Sequence, residues 1–119
     1  MRPKQQRVGC SGWQYREWVG PFYPVGLAAR AHFAHYAARF DTVELNSTFY
    51  RLPAPTTVQR WAAAAPPGFL YAVKLGAFGS HRMKLRDARS WLGNHVERVV
   101  GLGQAAGPTV VQLPPRWRR

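Results

Sequence analysis

The sequence predicts an α/β fold in which four parallel strands alternate with helices, in the order βαβαβαβ. Three observations predict it. Short apolar runs alternate along the chain with longer stretches of helical periodicity. Each pair of successive strands is separated by enough residues to hold a crossover helix, which parallel strands require. Turn signals rich in Pro and Gly mark the boundaries, at Ser11-Gly12, Pro66-Pro67-Gly68, Gly107-Pro108 and Pro114-Pro115.

The first strand is Arg7–Ser11. Residues 12–26 then form a long loop carrying Trp13, Tyr15, Trp18, Phe22 and Tyr23. Loops of this size in compact domains are functional or heavily packed. Two uses are open: stacking on a sugar or base, or plugging the mouth above the strands. The first helix runs from Leu27 to Phe40, with Leu27, Ala31, Ala34 and Ala38 at helical spacing and Phe33, Ala37 and Phe40 widening the stripe. His32 and His35 have the spacing of a metal pair, but their place away from the stripe reads as a solvated face.

The second strand is Thr42–Asn46. Its helix is capped at Thr56 or Thr57, turns Val58, Trp61, Ala62 and Ala65 inward, and stops at Pro66-Pro67-Gly68. The third strand, Phe69–Leu75, alternates Tyr71, Val73 and Leu75 with Leu70, Ala72 and Lys74. A second long loop, Gly76–Arg86, carries His81. The third helix begins near Asp87 or Ser90 with Trp91, Leu92, Val96, Val99 and Val100 as its stripe. The last strand is Thr109–Leu113.

Length and composition bound the function. The 119 residues make at most one domain, 46% hydrophobic and so able to form a core. Seventeen Lys and Arg against five Asp and Glu give a formal net charge of +12. That charge fits basic helix faces, and also a nucleic acid or another anionic partner. A single cysteine, Cys10, excludes an internal disulfide and a cysteine-rich zinc site, reads as a small buried side chain, and suits a reducing cytoplasm. No apolar run reaches the roughly 20 residues of a membrane span, and the basic N-terminus lacks the apolar core of a signal peptide.

If Val43 and Leu45 pack on helices, Glu44 and Asn46 face the other side of the sheet. Ser11, Lys74 and, on the last strand, Gln112 fall on the same face, each near the C-terminal end of its strand. In open and closed α/β sheets, ligands sit outside those ends. The long loops leave from the same rim and add Trp13, Tyr50 and His81. Glu44 and Lys74 are the candidate catalytic pair. In a dry pocket they serve acid–base chemistry, or Lys74 forms a Schiff base. The structural alternative is an ion pair that holds the second and third strands in register. Asn46, Tyr50, His81, Gln112, Ser11 and Trp13 are candidate ligand-binding residues. Glu44 and His81 alone are too few to make a metal site, and no cofactor is indicated.

Several blocks carry a family resemblance: Gly9-Cys10-Ser11-Gly12-Trp13, Phe22-Tyr23-Pro24, Phe40 through Pro53 with Glu44-Leu45-Asn46-Ser47-Thr48-Phe49-Tyr50 at its centre, Pro66-Pro67-Gly68-Phe69, Ala72-Val73-Lys74, and Gln112-Leu113-Pro114-Pro115-Arg116. Together they resemble the DUF72 (YecE-like) family of uncharacterised proteins. The resemblance implies a TIM-barrel fold and recurrent polar positions at Glu44, Asn46, Tyr50, Lys74, His81 and Gln112. His81 sits in a loop that departs from the usual polar pattern.

A (β/α)8 barrel takes about 250 residues. The expectation is therefore the parallel βαβαβαβ half of a TIM (β/α)8 barrel, with residues 1–119 the N-terminal half of a single domain. Its outer strands and an apolar interior face would need the missing barrel half, or self-association, to cover them. The function expected is binding of a small polar or anionic ligand at the rim, enzymatic or not, with nucleic-acid binding as the alternative.

Overall fold

The computed structural model describes residues 5–118. Four strands, β1 (Cys10–Ser11), β2 (Thr42–Leu45), β3 (Leu70–Lys74) and β4 (Ala106–Val110), form one sheet in sequence order. Every neighbouring pair is parallel. The helices are α1 (His32–Ala37), α2 (Ser47–Tyr50), α3 (Pro55–Ala64) and α4 (Leu92–Gly101). This is the α/β half-barrel class that the sequence predicts.

Alternation along β2 and β3 sets the core. Val43, Leu45, Tyr71, Val73 and Leu75 are at most 4% exposed. All but Leu75 join Tyr36, Val58, Phe69 and Leu102 in one cluster beneath the helices. Burying each such aliphatic or aromatic side chain contributes about 1.5–3 kcal/mol. The opposite face, with Thr42, Glu44, Leu70, Ala72 and Lys74, is half-buried and mixed in polarity. The continuous apolar interior expected there is not present.

Backbones approach closely at both sides of the sheet, and glycine permits it. A Cβ on Gly9 would lie 2.1 Å from the Thr42 carbonyl oxygen, and one on Gly107 would lie 2.5 Å from that of Tyr71. Tyr36 fastens β1 to β2. Its hydroxyl accepts the Cys10 N–H at 2.8 Å and donates to the Thr42 carbonyl at 2.7 Å.

Several boundaries differ from the sequence reading. β1 pairs only from Cys10, and Val8 is 77% exposed. The first helix shortens to α1 plus a 3-10 turn at Ala29–Ala31. Its inward face is Phe33, Tyr36, Ala37 and Phe40, while Ala34 and Ala38 are exposed. Large rings bury far more apolar area than alanines do, so the rings decide the helix rotation. α3 starts earlier than expected, with Ala54 as its cap and Pro55 in the first turn. α2 lies within residues 47–57, which the sequence reads as a loop.

β4 begins at Ala106, so Gly107-Pro108 lies inside the strand rather than before it. A proline there is tolerated because the β3–β4 register shifts between Tyr71 and Val73, leaving a bulge. α4 turns His95, Val99 and Leu102 inward. Leu92, Val96 and Val100, read as part of its inner stripe, are 40%, 48% and 69% exposed. No strand of the described residues lies beyond β4, so that flank has no neighbouring βα unit to pack on. The radius of gyration is 15.7 Å, against about 13.5 Å for a closed domain of this length, as an open sheet requires. No helix among the described residues is long and apolar enough to cross a membrane.

Candidate functional site

The rim is built where β2 and β3 end. With Thr42 opposite Leu70, Glu44 falls opposite Ala72, and the next pair up brings Asn46 beside Lys74. The Lys74 ammonium donates to Asn46 Oδ1 at 3.1 Å. Asn46 is also the residue at which the chain turns into α2. That helix puts Phe49 under the ammonium, with Lys74 Nζ 4.8 Å from the ring centroid. Phe49 also packs on His81, edge-to-face at 5.1 Å.

His81 sits in a π-helical turn, Phe78–Arg82. Its Nδ1 is 2.9 Å from the hydroxyl of Ser80, which is fully buried. The Thr48 hydroxyl lies 2.9 Å from the Leu45 carbonyl and 2.6 Å from that of Lys74, tying α2 to the ends of both strands. Asn46, Lys74, Phe49, His81 and Ser80 thus form one connected chain. Phe49, Thr48 and Ser80 were not singled out in the sequence. The signal for the first two was their position directly after a strand, in a segment too short for anything but a tight helical turn.

Glu44 and Lys74 do not face each other. The ion pairs among the described residues are Arg7–Asp41 and Arg98–Glu97. The register places Glu44 one layer below Lys74, where Ser11 Oγ donates to its carboxylate at 2.9 Å. Of the other sequence-predicted residues, Tyr50 is 77% exposed and packs edge-to-face on Phe49. Gln112 lies past the end of β4, exposed, and bonds to none of the rim side chains. Trp13 packs edge-to-face on Phe33 at 4.9 Å and also borders a cavity of about 380 Å3 shared with Gln14, Tyr15, Asn46 and Ser47.

Trp18, Phe22 and Tyr23 neither stack at the rim nor plug it. They pack on α1 through Tyr36 and His35. Tyr23 is fully buried, its ring stacked on His32 at 4.0 Å and its hydroxyl donating to the Trp13 carbonyl. His32 and His35 are correspondingly half-buried rather than on an outer solvated face. Their Nε2 atoms bond the Leu27 and Phe22 carbonyls at 3.2 and 2.9 Å. Among the described residues no group of three or more His, Cys, Asp or Glu is placed to hold a metal.

Burial shapes the titrating groups behind the rim. It pushes the Tyr23 and Tyr36 phenols up to about 12, and raises Tyr71 as well. These phenols stay neutral donors at physiological pH. Burial also lowers the pKa of His95, whose Nε2 is 2.9 Å from the Thr109 hydroxyl.

The fold and the rim together define a protein class: parallel βα units of TIM-barrel type that present polar side chains at the strand ends. The chain belongs to the DUF72 family, described as a protein of unknown function, whose family model matches residues 7–119. It is 30% identical over 107 residues to UPF0759 protein YecE of Escherichia coli (strain K12), and equally to the protein of that name from Escherichia coli O157:H7. Each match covers 90% of this chain and 37% of the relative. The crystal structure of a DUF72 family protein from Enterococcus faecalis V583 matches with a TM-score of 0.67 at 17% identity, over 93% of this chain and 40% of that one. At that identity the likeness shows the fold. The chain spans about two-fifths of the length of these relatives.

Proposed function

We propose that this chain supplies one wall of a DUF72 barrel that binds a small polar or anionic ligand above β2 and β3. The observation that carries this reading is the pairing of Lys74 with the neutral amide of Asn46 at 3.1 Å, with no carboxylate among the described residues in an ion pair with it. An ammonium so held keeps its charge for a ligand. His81, one ring away across Phe49, offers a second donor. Asn46 and Tyr50 orient the ligand from below, with Ser11, Trp13 and Gln112 around them. If the site is enzymatic, Glu44 is the acid–base group and Lys74 the anion or Schiff-base partner.

In this reading residues 1–119 are the N-terminal half of one DUF72 domain in the cytoplasm. The remaining βα units of that domain cover the open sides of β1 and β4 and the exposed Leu92, Val96 and Val100. The shares of the relatives covered support it. So does the apolar flank of α4.

The test is a titration of the chain with inorganic phosphate and with malonate, followed by amide NMR. Amide shifts at Asn46, Lys74 and His81, abolished in Lys74→Met, are expected. Unshifted spectra at millimolar anion would sink the reading. A nucleic-acid reading draws on a different feature, the exposed Arg82, Lys84, Arg86 and Arg89 beside the π-helical turn. It requires salt-dependent binding of random oligonucleotides, weakened when these four are replaced by Gln. No binding at low salt excludes it.

A further inference from the structure

A second cavity, of about 200 Å3, lies between β2, β3, α3 and α4, away from the Lys74 side of Phe49. Its floor is Leu45, Val58, Val73, Leu75 and Leu102, each at most 4% exposed. Its mouth carries large apolar side chains that folding leaves in water: Tyr50 at 77%, Phe78 at 48% and Leu52 at 43% exposure. Three exposed large side chains around the opening of one apolar cavity are a ligand-site signature that scattered surface residues do not produce. The lining comes wholly from the second and third βα units and the segments that follow β2 and β3. The cavity is therefore bounded within this chain.

The polar groups in the lining have one sign. Arg51 and Arg98 border it, with Asn94 and the buried His95, and no Asp or Glu does. Arg51 makes no ion pair or side-chain hydrogen bond among the described residues. The guanidinium of Arg98 is aimed along the wall, its Nε donating to the Pro53 carbonyl at 2.8 Å and its Nη1 3.3 Å from the exposed Glu97. A void of about 150 Å3 holds a benzene ring. This one is large enough for a single ring, or a short alkyl chain, with a small head group turned to the arginines.

We propose that this cavity is a binding site for small hydrophobic carboxylates, the ring or alkyl body seated on Val58 and Leu102 and the carboxylate held by Arg51 and Arg98. The site is distinct from the Lys74 contact, though Phe49 and Tyr50 border both. It does not depend on the function proposed for Lys74.

The experiment uses the full chain with labelled Leu and Val methyl groups, titrated with benzoate, with octanoate and with neutral benzyl alcohol. Benzoate and octanoate should shift the methyl signals of Leu45, Val58, Val73 and Leu102, and benzoate should bind at least about threefold more tightly than benzyl alcohol. Val58→Phe should fill the void and abolish these shifts without changing the circular dichroism spectrum. Arg51→Gln, at an exposed position where folding is not at stake, should erase the preference for the acid. Arg98→Gln should do the same where it folds. Arg60→Gln, at an exposed arginine outside the lining, should leave benzoate binding unchanged. Methyl signals that stay put at tens of millimolar benzoate overturn the site. Equal binding of acid and alcohol, or a preference that survives Arg51→Gln, overturns the assignment to carboxylates.

Discussion

Lys74 and Asn46 stand side by side at the top of adjacent strands, with the ammonium 3.1 Å from the amide oxygen. The register that makes them neighbours also takes Glu44 away from Lys74, so the positive charge meets an uncharged partner. Such a hydrogen bond, from a charged donor at a half-buried position, contributes about 1.5 kcal/mol. Lys74→Met should therefore shift the urea midpoint only slightly while lowering phosphate affinity at least about tenfold, since it removes a charge-assisted contact. A midpoint shift as large as that of a core truncation, with affinity retained, would mark Lys74 as structural.

Tyr36 offers a separate test of how β1 is held. Tyr36→Phe keeps the ring and removes both links, to Cys10 N–H and Thr42 C=O. A buried donor and acceptor lose their partner together, so a loss of about 1–3 kcal/mol is expected in urea unfolding. Faster amide exchange at Cys10 should accompany it. Unchanged protection there would contradict the role.

Adding one carbon to either close-approach glycine should be more costly than its size suggests. Gly9→Ala and Gly107→Ala each drive a methyl into a carbonyl oxygen on the neighbouring strand. Overpacking costs about 1–3 kcal/mol, occasionally more. Gly93→Ala on α4, where a Cβ meets nothing, is the control and should be neutral or stabilising. Thermal unfolding of the three variants should separate them into these two groups.

Stability should fall at both ends of the pH scale. His95 has its folded pKa lowered by burial. Its unfolded form takes up a proton first as pH drops, so its contribution is complete above 6.5 and is lost as pH falls through the lower folded value. His95→Gln should flatten the urea midpoint between neutral and mildly acidic pH. For Tyr23 and Tyr36 the sign reverses. Their pKa is raised from 10.0 to about 12, so the stability they contribute is complete below 10 and disappears as pH rises through 12. Tyr36→Phe should make the fall in stability between pH 10 and about 12 shallower, and an equally steep fall would contradict this assignment.

Much of the fold was legible because it follows from periodicity. The alternation of Val43 and Leu45, and of Tyr71, Val73 and Leu75, fixed which face is buried. The turns at Ser11-Gly12 and Pro66-Pro67-Gly68 marked strand and helix ends. What could not be read was register. Nothing in the two strands says that Thr42 meets Leu70, and that single pairing decides whether Glu44 or Asn46 neighbours Lys74. The rotation of α4 was hidden for a similar reason. His95, Val99 and Leu102 compete with Leu92, Val96 and Val100 for the core, and the more apolar set loses because of where the sheet ends. The aromatic loop misled because rings serve packing and stacking equally well. Only the contacts of Tyr23 with His32 and Trp13 tell them apart.

The bulge in β4 has a consequence for insertions and deletions. Tyr71 is opposite Ala106 and Val73 opposite Thr109, so three steps on β4 are matched to two on β3. The extra residue resets the parity of the strand. Were the strand to keep its length and run on without the bulge, every later side chain would exchange sides, because a slip of one residue inverts a strand. Thr109 would leave His95 for the barrel interior, and Val110, now beside Lys74, would turn toward the helices. Loss of one residue at 107 or 108 would instead take up the bulge and leave Thr109 opposite Val73 in a regular strand. Related chains should therefore tolerate the loss of one residue here better than the loss of one in β3, where no bulge absorbs it.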